Sequence, residues 1–166
     1  MAKVLVIDYE KCEGCRECEM VCSAKHEGLV NPYLSRIQVI KWPVKMGSVP
    51  IACAQCELAP CHAICPVNAI SRDEELRREM VDHNICIGCR MCIAACPFGC
   101  MNFDSMGKKV FKCDLCDGDP ICVRNCAYDA LQYADASEQS AIKQRAVAGK
   151  LPGIMRKMVE AMATGE

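Results

Sequence analysis

Sixteen of the 17 cysteines in this 166-residue chain fall into four groups whose spacing is a metal-binding pattern. Cys12, Cys15, Cys18 and Cys22 follow C-x2-C-x2-C-x3-C, and Cys86, Cys89, Cys92 and Cys96 repeat it, with Pro97 after the last. Cys53, Cys56, Cys61 and Cys65, followed by Pro66, and Cys113, Cys116, Cys122 and Cys126 keep both ends of the pattern and widen its middle gap. In such a run three closely spaced thiolates wrap one face of an iron–sulfur cubane, and the fourth, one turn later, points to a different cluster. Zinc takes paired knuckles and four tetrahedral ligands, and has no need of a third cysteine two residues on. The spacing therefore points to four [4Fe–4S] clusters and to one-electron chemistry.

The second and third groups both end in Cys-Pro, whereas the first ends in Cys22-Ser23 and the fourth in Cys126-Ala127. This predicts two nested pairs, an inner one from groups two and three and an outer one from groups one and four. The expected ligand sets are Cys12, Cys15, Cys18 with Cys126; Cys113, Cys116, Cys122 with Cys22; Cys53, Cys56, Cys61 with Cys96; and Cys86, Cys89, Cys92 with Cys65. Cys100 holds the slot that Ala69 and Ala130 hold in the sister repeats, and is read as a buried small residue, not a ligand. His26, His62 and His83 show no metal spacing among themselves and are assigned no ligation, only a place at the surface or beside the ligands.

Charge and backbone freedom should make the four sites unequal. The formal net charge is −1, and four oxidised cubanes with their thiolates, at about −2 each, bring it to about −9. Gly14 and Gly88 sit between the first two cysteines of groups one and three, where the missing Cβ lets backbone amides approach cluster sulfides; groups two and four carry Ala54-Gln55 and Asp114-Leu115 there. Asp114, Asp117 and Asp119 surround group four and disfavour an extra electron, against Lys108, Lys109 and Lys112. Its cluster is expected among the lowest in potential.

Short elements suffice to position these loops, and large sheets are not expected. The fold class is a small α+β one: two nested bacterial-ferredoxin-like two-cluster units with a C-terminal helical extension. Residues 1–30 with 105–134 form the outer unit, 51–104 the inner unit, 31–50 a connection holding Trp42, and 135–166 the helical extension. Apolar runs at 4–7, 37–40 and 130–134 and around Val81 suit small hairpins. The charged tract 72–79 reads as a solvated loop or hairpin tip. Asp135 and Glu138 are spaced as a capping box for a helix running to Ala148, stopped at Gly149. A second helix from Pro152 carries the stripe Ile154, Met155, Met158, Val159 and Met162.

Composition removes several function classes. The N-terminus has too short an apolar run for a signal peptide, and no stretch reaches the 18 or more apolar residues of a membrane span. Paired Cys-x-x-Cys in a reducing cytoplasm means bound metal, and an odd cysteine total argues the same way. The 20 Lys plus Arg are spread among 21 acidic residues with no basic tract, which argues against a nucleic-acid partner. There is no G-x-G-x-x-G and no Walker A motif, and all sixteen ligands close their sites, so the chain is not expected to be a catalyst alone. Only 3 Phe, 4 Tyr and 1 Trp are available for a core, which leaves its interior to inorganic material.

In the order and type of the four groups, residues 3–134 resemble the four-cluster ferredoxin-like subunits that carry electrons for molybdenum and tungsten oxidoreductases, such as the iron–sulfur subunits of the dimethyl sulfoxide reductase family. Nested pairing is also a property of that family. In its nitrate reductase branch a Trp replaces the second cysteine of the third group; Cys89 stands there in this chain, which implies four irons at every site. The gap from Cys116 to Cys122 is shorter than in the dimethyl sulfoxide reductase type, and long insertions and a membrane-facing C-terminal segment are missing. The text Ile7-Asp-Tyr-Glu-Lys-Cys-Glu-Gly-Cys-Arg-Glu-Cys, with Lys25-His-Glu-Gly28 and Ser35-Arg-Ile37, looks more like the small subunits serving tungsten aldehyde oxidoreductase-type enzymes, a group that includes class II benzoyl-CoA reductase. The resemblance implies a cytoplasmic relay between a catalytic tungsten or molybdenum subunit, facing the outer cluster pair, and an external donor or acceptor protein facing the inner pair. Subunits of hydrogenases and carbon monoxide dehydrogenases share the same motifs, and a stand-alone polyferredoxin is the remaining alternative.

Overall fold

The computed structural model describes residues 3–41 and 47–137. Residues 5–133 form one unit; of a second, made of residues 1–4 and 134–166, only 3–4 and 134–137 are described. Trp42, the helix expected from 135 onward beyond Ser137, and the methionine stripe lie outside the described residues.

Among the described residues, eight short strands pair two by two: β1 (Lys3–Ile7) with β8 (Leu131–Asp135), β2 (Ile37–Lys41) with β3 (Ser48–Ala52), β4 (Ile70–Asp73) with β5 (Arg78–Val81), and β6 (Asn102–Asp104) with β7 (Lys109–Phe111). The last three pairs are antiparallel hairpins, in register Ile37 to Ala52, Ile70 to Val81 and Asn102 to Phe111. Part of the expected connection 31–50 is therefore strand, and Pro50 is tolerated because a two-stranded ribbon has a free edge for a residue without an N–H. Each cysteine group continues into a helix: α1 (Glu17–Glu27), α2 (Pro60–Ala63), α3 (Met91–Ala95) and α4 (Ile121–Arg124). In α1 the acids Glu17 and Glu19 open the helix, Lys25 and His26 close it, and Gly28 ends it in the left-handed region, all in the sense the helix dipole favours.

The interior divides between two clusters of side chains. One gathers Cys18, Cys22, Ile37, Val39, Cys122 and Leu131, where α1 packs on α4. The other gathers Cys61, Ile70, Cys92, Met101 and Val110, where α2 packs on α3. Cysteines make up half of the first, so thiols stand where an ordinary small domain would place Leu or Phe.

The tract 72–79 corrects the expectation of a solvated hairpin tip. Only 74–77 forms the turn between β4 and β5. Beyond it, Arg78 is 7% and Glu79 2% exposed. Arg78 pairs with Asp73 at 3.0 Å and Asp117 at 2.7 Å, and donates to the Asp114 carbonyl at 2.6 Å. The Glu79 carboxylate meets Arg72 at 3.0 Å and His62 at 3.1 Å. Mixed charge marks solvent only when partners are out of reach; here the tract pairs within itself through Asp73 and Arg72 and folds against groups two and four, which supply His62, Asp117 and the Asp114 carbonyl.

Candidate metal centre

Backbone conformation repeats around the cysteines more faithfully than residue type does. The residue just before the second cysteine has positive φ in all four groups: Gly14 at 71°, Gln55 at 50°, Gly88 at 68° and Leu115 at 57°. Glycine is needed where space is short as well, since a Cβ on Gly88 would sit 2.5 Å from the Lys108 carbonyl oxygen. After the fourth cysteine a tight turn recurs, with Asn68, Gly99 and Asp129 at φ of 51°, 63° and 51°. In group four Cys116 and Asp117 are also left-handed, at 49° and 57°, so three successive non-glycine residues hold a conformation that costs about 1 to 2 kcal/mol each. Such strain persists where the surroundings over-determine the loop.

These turns bring cysteines from different groups together. Cys12, Cys15 and Cys18 share a cavity with Cys126. Cys86, Cys89 and Cys92 share one with Cys65, and Cys53, Cys56 and Cys61 share one with Cys96 and Cys100. The three cavities have the same volume, about 20 Å³ each. In the remaining set Cys22, Cys113, Cys116 and Cys122 are all buried. The Cys122 thiol is pushed far up by burial and then by the neighbouring Cys113, Cys22 and Cys116. Burial likewise lifts Cys18 and Cys113 to about 12 and Cys92 to about 11. Crowded, buried thiols that repel one another on ionisation are stable as thiolates only around a cation, and four thiols about one cavity are the donor set of a cubane cluster.

Backbone amides reach the sulfurs that end the groups: Ala69 N–H donates to Cys65 Sγ at 3.2 Å, Cys100 N–H to Cys96 Sγ at 3.4 Å and Arg36 N–H to Cys22 Sγ at 3.3 Å. Such bonds stabilise sulfur charge and raise potentials. Cys100 Sγ donates to the carbonyls of Ala52 at 3.1 Å and Phe98 at 3.4 Å, so its proton is already engaged.

The sequence places the histidines at the surface or beside the ligands without saying which thiol one of them meets, and it does not show the partners of the group-four charges. His26, 90 positions from Cys116, brings Nε2 to 3.4 Å from its sulfur and to 3.5 Å from Asp114 Oδ1. Asp117 and Asp119, counted as free negative charge, pair with Arg78 and Arg124 at 2.7 and 3.1 Å. Lys112, set with Lys108 and Lys109 against these acids, is 3% exposed. Two of the three carboxylates are thus paired and an ammonium is buried beside Cys113, while Asp114 stays against the Cys116 N–H, so less uncompensated negative charge surrounds group four than the sequence suggested.

Residues 44–136, which hold cysteine groups two to four, match the family described as 4Fe-4S dicluster domain. The chain belongs to this family. It is 40% identical over 131 residues to the polyferredoxin-like subunit of the aliphatic sulfonate oxidoreductase of Pyrococcus furiosus, across 77% of this chain and 75% of that one. It is 35% identical over 176 aligned positions to the electron transport protein HydN of Escherichia coli, across 89% of this chain and 98% of that one. Among solved structures, the active site complex BamBC of benzoyl coenzyme A reductase contains a chain 25% identical, with a TM-score of 0.49 and coverage of 96% and 97%. The protein is thus a ferredoxin-like iron–sulfur electron transport protein related to oxidoreductase subunits. Among the described residues no helix is long and apolar enough to cross a membrane.

Proposed function

We propose that the chain carries four [4Fe–4S] clusters and relays electrons, in the cytoplasm, between the catalytic subunit of a tungsten or molybdenum oxidoreductase and an external redox protein, with no catalysis of its own. Cys12, Cys15, Cys18 and Cys126 would hold the first cluster; Cys22, Cys113, Cys116 and Cys122 the second; Cys53, Cys56, Cys61 and Cys96 the third; and Cys65, Cys86, Cys89 and Cys92 the fourth. Cys100 remains a thiol. Each cluster supplies reversible one-electron exchange, and the protein sets its potential and insulation. The two nested units, 1–30 with 105–134 and 51–104, would each bear one pair.

The observation that carries this reading is that three cavities are each lined by three cysteines of one group and the last cysteine of another, with Cys100 added in one of them. The order of the row is supported by the thiols of different sets that raise one another's pKa: Cys18 and Cys122, Cys53 and Cys113, and Cys61 and Cys92. Exposed cysteines, Cys15 and Cys89, belong to the first and last members only, where electrons must enter and leave. The relationship to an oxidoreductase's polyferredoxin-like subunit supports a catalytic partner.

The test is elemental analysis of the native complex, purified anaerobically through a tag on this chain. About sixteen irons per chain with tungsten or molybdenum is the expected result. Nickel in their place moves the partner to a hydrogenase or carbon monoxide dehydrogenase, iron alone makes the chain a free polyferredoxin, and zinc without iron overturns the reading.

A further inference from the structure

Lys112 is a buried cation whose ammonium touches no carboxylate among the described residues. Its Nζ donates to the Glu79 carbonyl, to the Cys113 carbonyl at 2.9 Å and to Gln55 Oε1 at 3.2 Å. Gln55 lies between Cys53 and Cys56; its Nε2 donates to the same Cys113 carbonyl at 2.7 Å, and its Oε1 also accepts the Glu79 N–H at 3.0 Å. Side chains and backbone of groups two and four are thereby tied at one point, with Lys112 at its centre. Of the nearby carboxylates, Glu79 meets Arg72 through Oε1 while its Oε2, 3.1 Å from His62 Nδ1, has no hydrogen-bond partner; Asp117 pairs with Arg78, and Asp114 accepts the Cys116 N–H. A buried charge held by neutral acceptors alone is costly, so a counter-charge must lie close by. Both sets lie next to this ammonium: Cys113 is the following residue and its carbonyl accepts from Nζ, and Gln55, which also accepts from Nζ, stands between Cys53 and Cys56.

We infer that Lys112, held by Gln55, is the counter-charge shared by the two middle clusters, and that it raises their potentials together relative to the two end clusters. The inference rests on the four-cluster reading above. A positive charge buried between two centres favours the extra electron on either by Coulomb attraction, little screened by solvent or salt. It moves both middle potentials in the same direction relative to the two ends.

Lys112→Met keeps the length of the side chain and removes its charge. In anaerobic redox titrations followed by EPR, two of the four midpoints should fall and two should stay. Lys112→Arg, which keeps the charge, should restore them. Gln55→Glu, which sets a carboxylate against the ammonium, should lower the same two midpoints by an independent route. Unmoved midpoints in Lys112→Met at full iron content overturn the proposal, as does an equal shift of all four. Loss of iron from both Lys112→Met and Gln55→Glu makes the bridge purely structural and overturns it too. A parent protein with fewer than four redox centres sinks the four-cluster reading instead, and iron analysis of the parent, made first, separates that failure from this one.

Discussion

The hairpins β4–β5 and β6–β7 are built on one plan and bury opposite kinds of residue. Each first strand ends in an aspartate, Asp73 or Asp104, whose carboxylate accepts two turn N–H groups: Glu75 and Leu76 at 3.0 and 3.3 Å, Met106 and Gly107 at 3.0 and 2.8 Å. Each turn closes on a left-handed basic residue, Arg77 at φ 49° or Lys108 at 52°. Two residues later the shared slot holds Glu79 in one hairpin and Val110 in the other, both 2% exposed. Val110 packs with Cys61, Ile70, Cys92 and Met101. Glu79 faces Arg72, His62 and the backbone contacts of Lys112. Turn chemistry alone sets the hairpin; what the strand buries is set by the surface it meets, here a polar seam between cysteine groups in one case and an apolar core in the other.

The largest effect belongs to the seam. Glu79→Ala leaves Arg72 and His62 without their buried carboxylate and should cost about 4 kcal/mol. In an anaerobic thermal melt followed by iron–sulfur absorbance, that is a fall of roughly 10 °C for a chain of this size. Gly88→Ala should come next. It forces a Cβ against the Lys108 carbonyl at a φ of 68°, so the turn of β6–β7 must move away from group three, at about 3 kcal/mol. Val110→Ala removes two buried methyl groups and should cost about 2 kcal/mol. The comparison breaks if Glu79→Ala melts no lower than Val110→Ala, because the shared slot would then be indifferent to what fills it.

Legibility in the sequence follows the distance over which each feature is decided. The cysteine groups and the strands at 3–7 and 37–41 are local, and spacing or residue type announces them. Positive φ before the second cysteine was readable only at Gly14 and Gly88; Gln55 and Leu115 adopt it because the loop requires it, against their own preference. The seam was not readable at all. Gln55 and Lys112 are 57 positions apart, and nothing in either neighbourhood says that a glutamine side chain and a lysine will meet at one carbonyl. Arg78 and Glu79 looked like surface charge because local pattern carries no information about a partner brought up by another cysteine group.

The smallest effect marks where the seam ends. Arg77 precedes the buried Arg78 directly, and its own partner, Glu57, is 3.1 Å away, with the two side chains 49% and 80% exposed. Solvent and salt screen such a pair, and the ordering of two long side chains offsets most of what remains, so Arg77→Ala should change stability by no more than about 0.5 kcal/mol. A melt within about 2 °C of the parent is the expected result. Arg77→Gly probes the same position differently: it removes the pair yet relieves a left-handed φ, and should melt at or slightly above Arg77→Ala. If Arg77→Ala instead falls as far as Val110→Ala, the charge network extends through the turn into solvent, and the two hairpins differ in their tips as well as in the faces they bury.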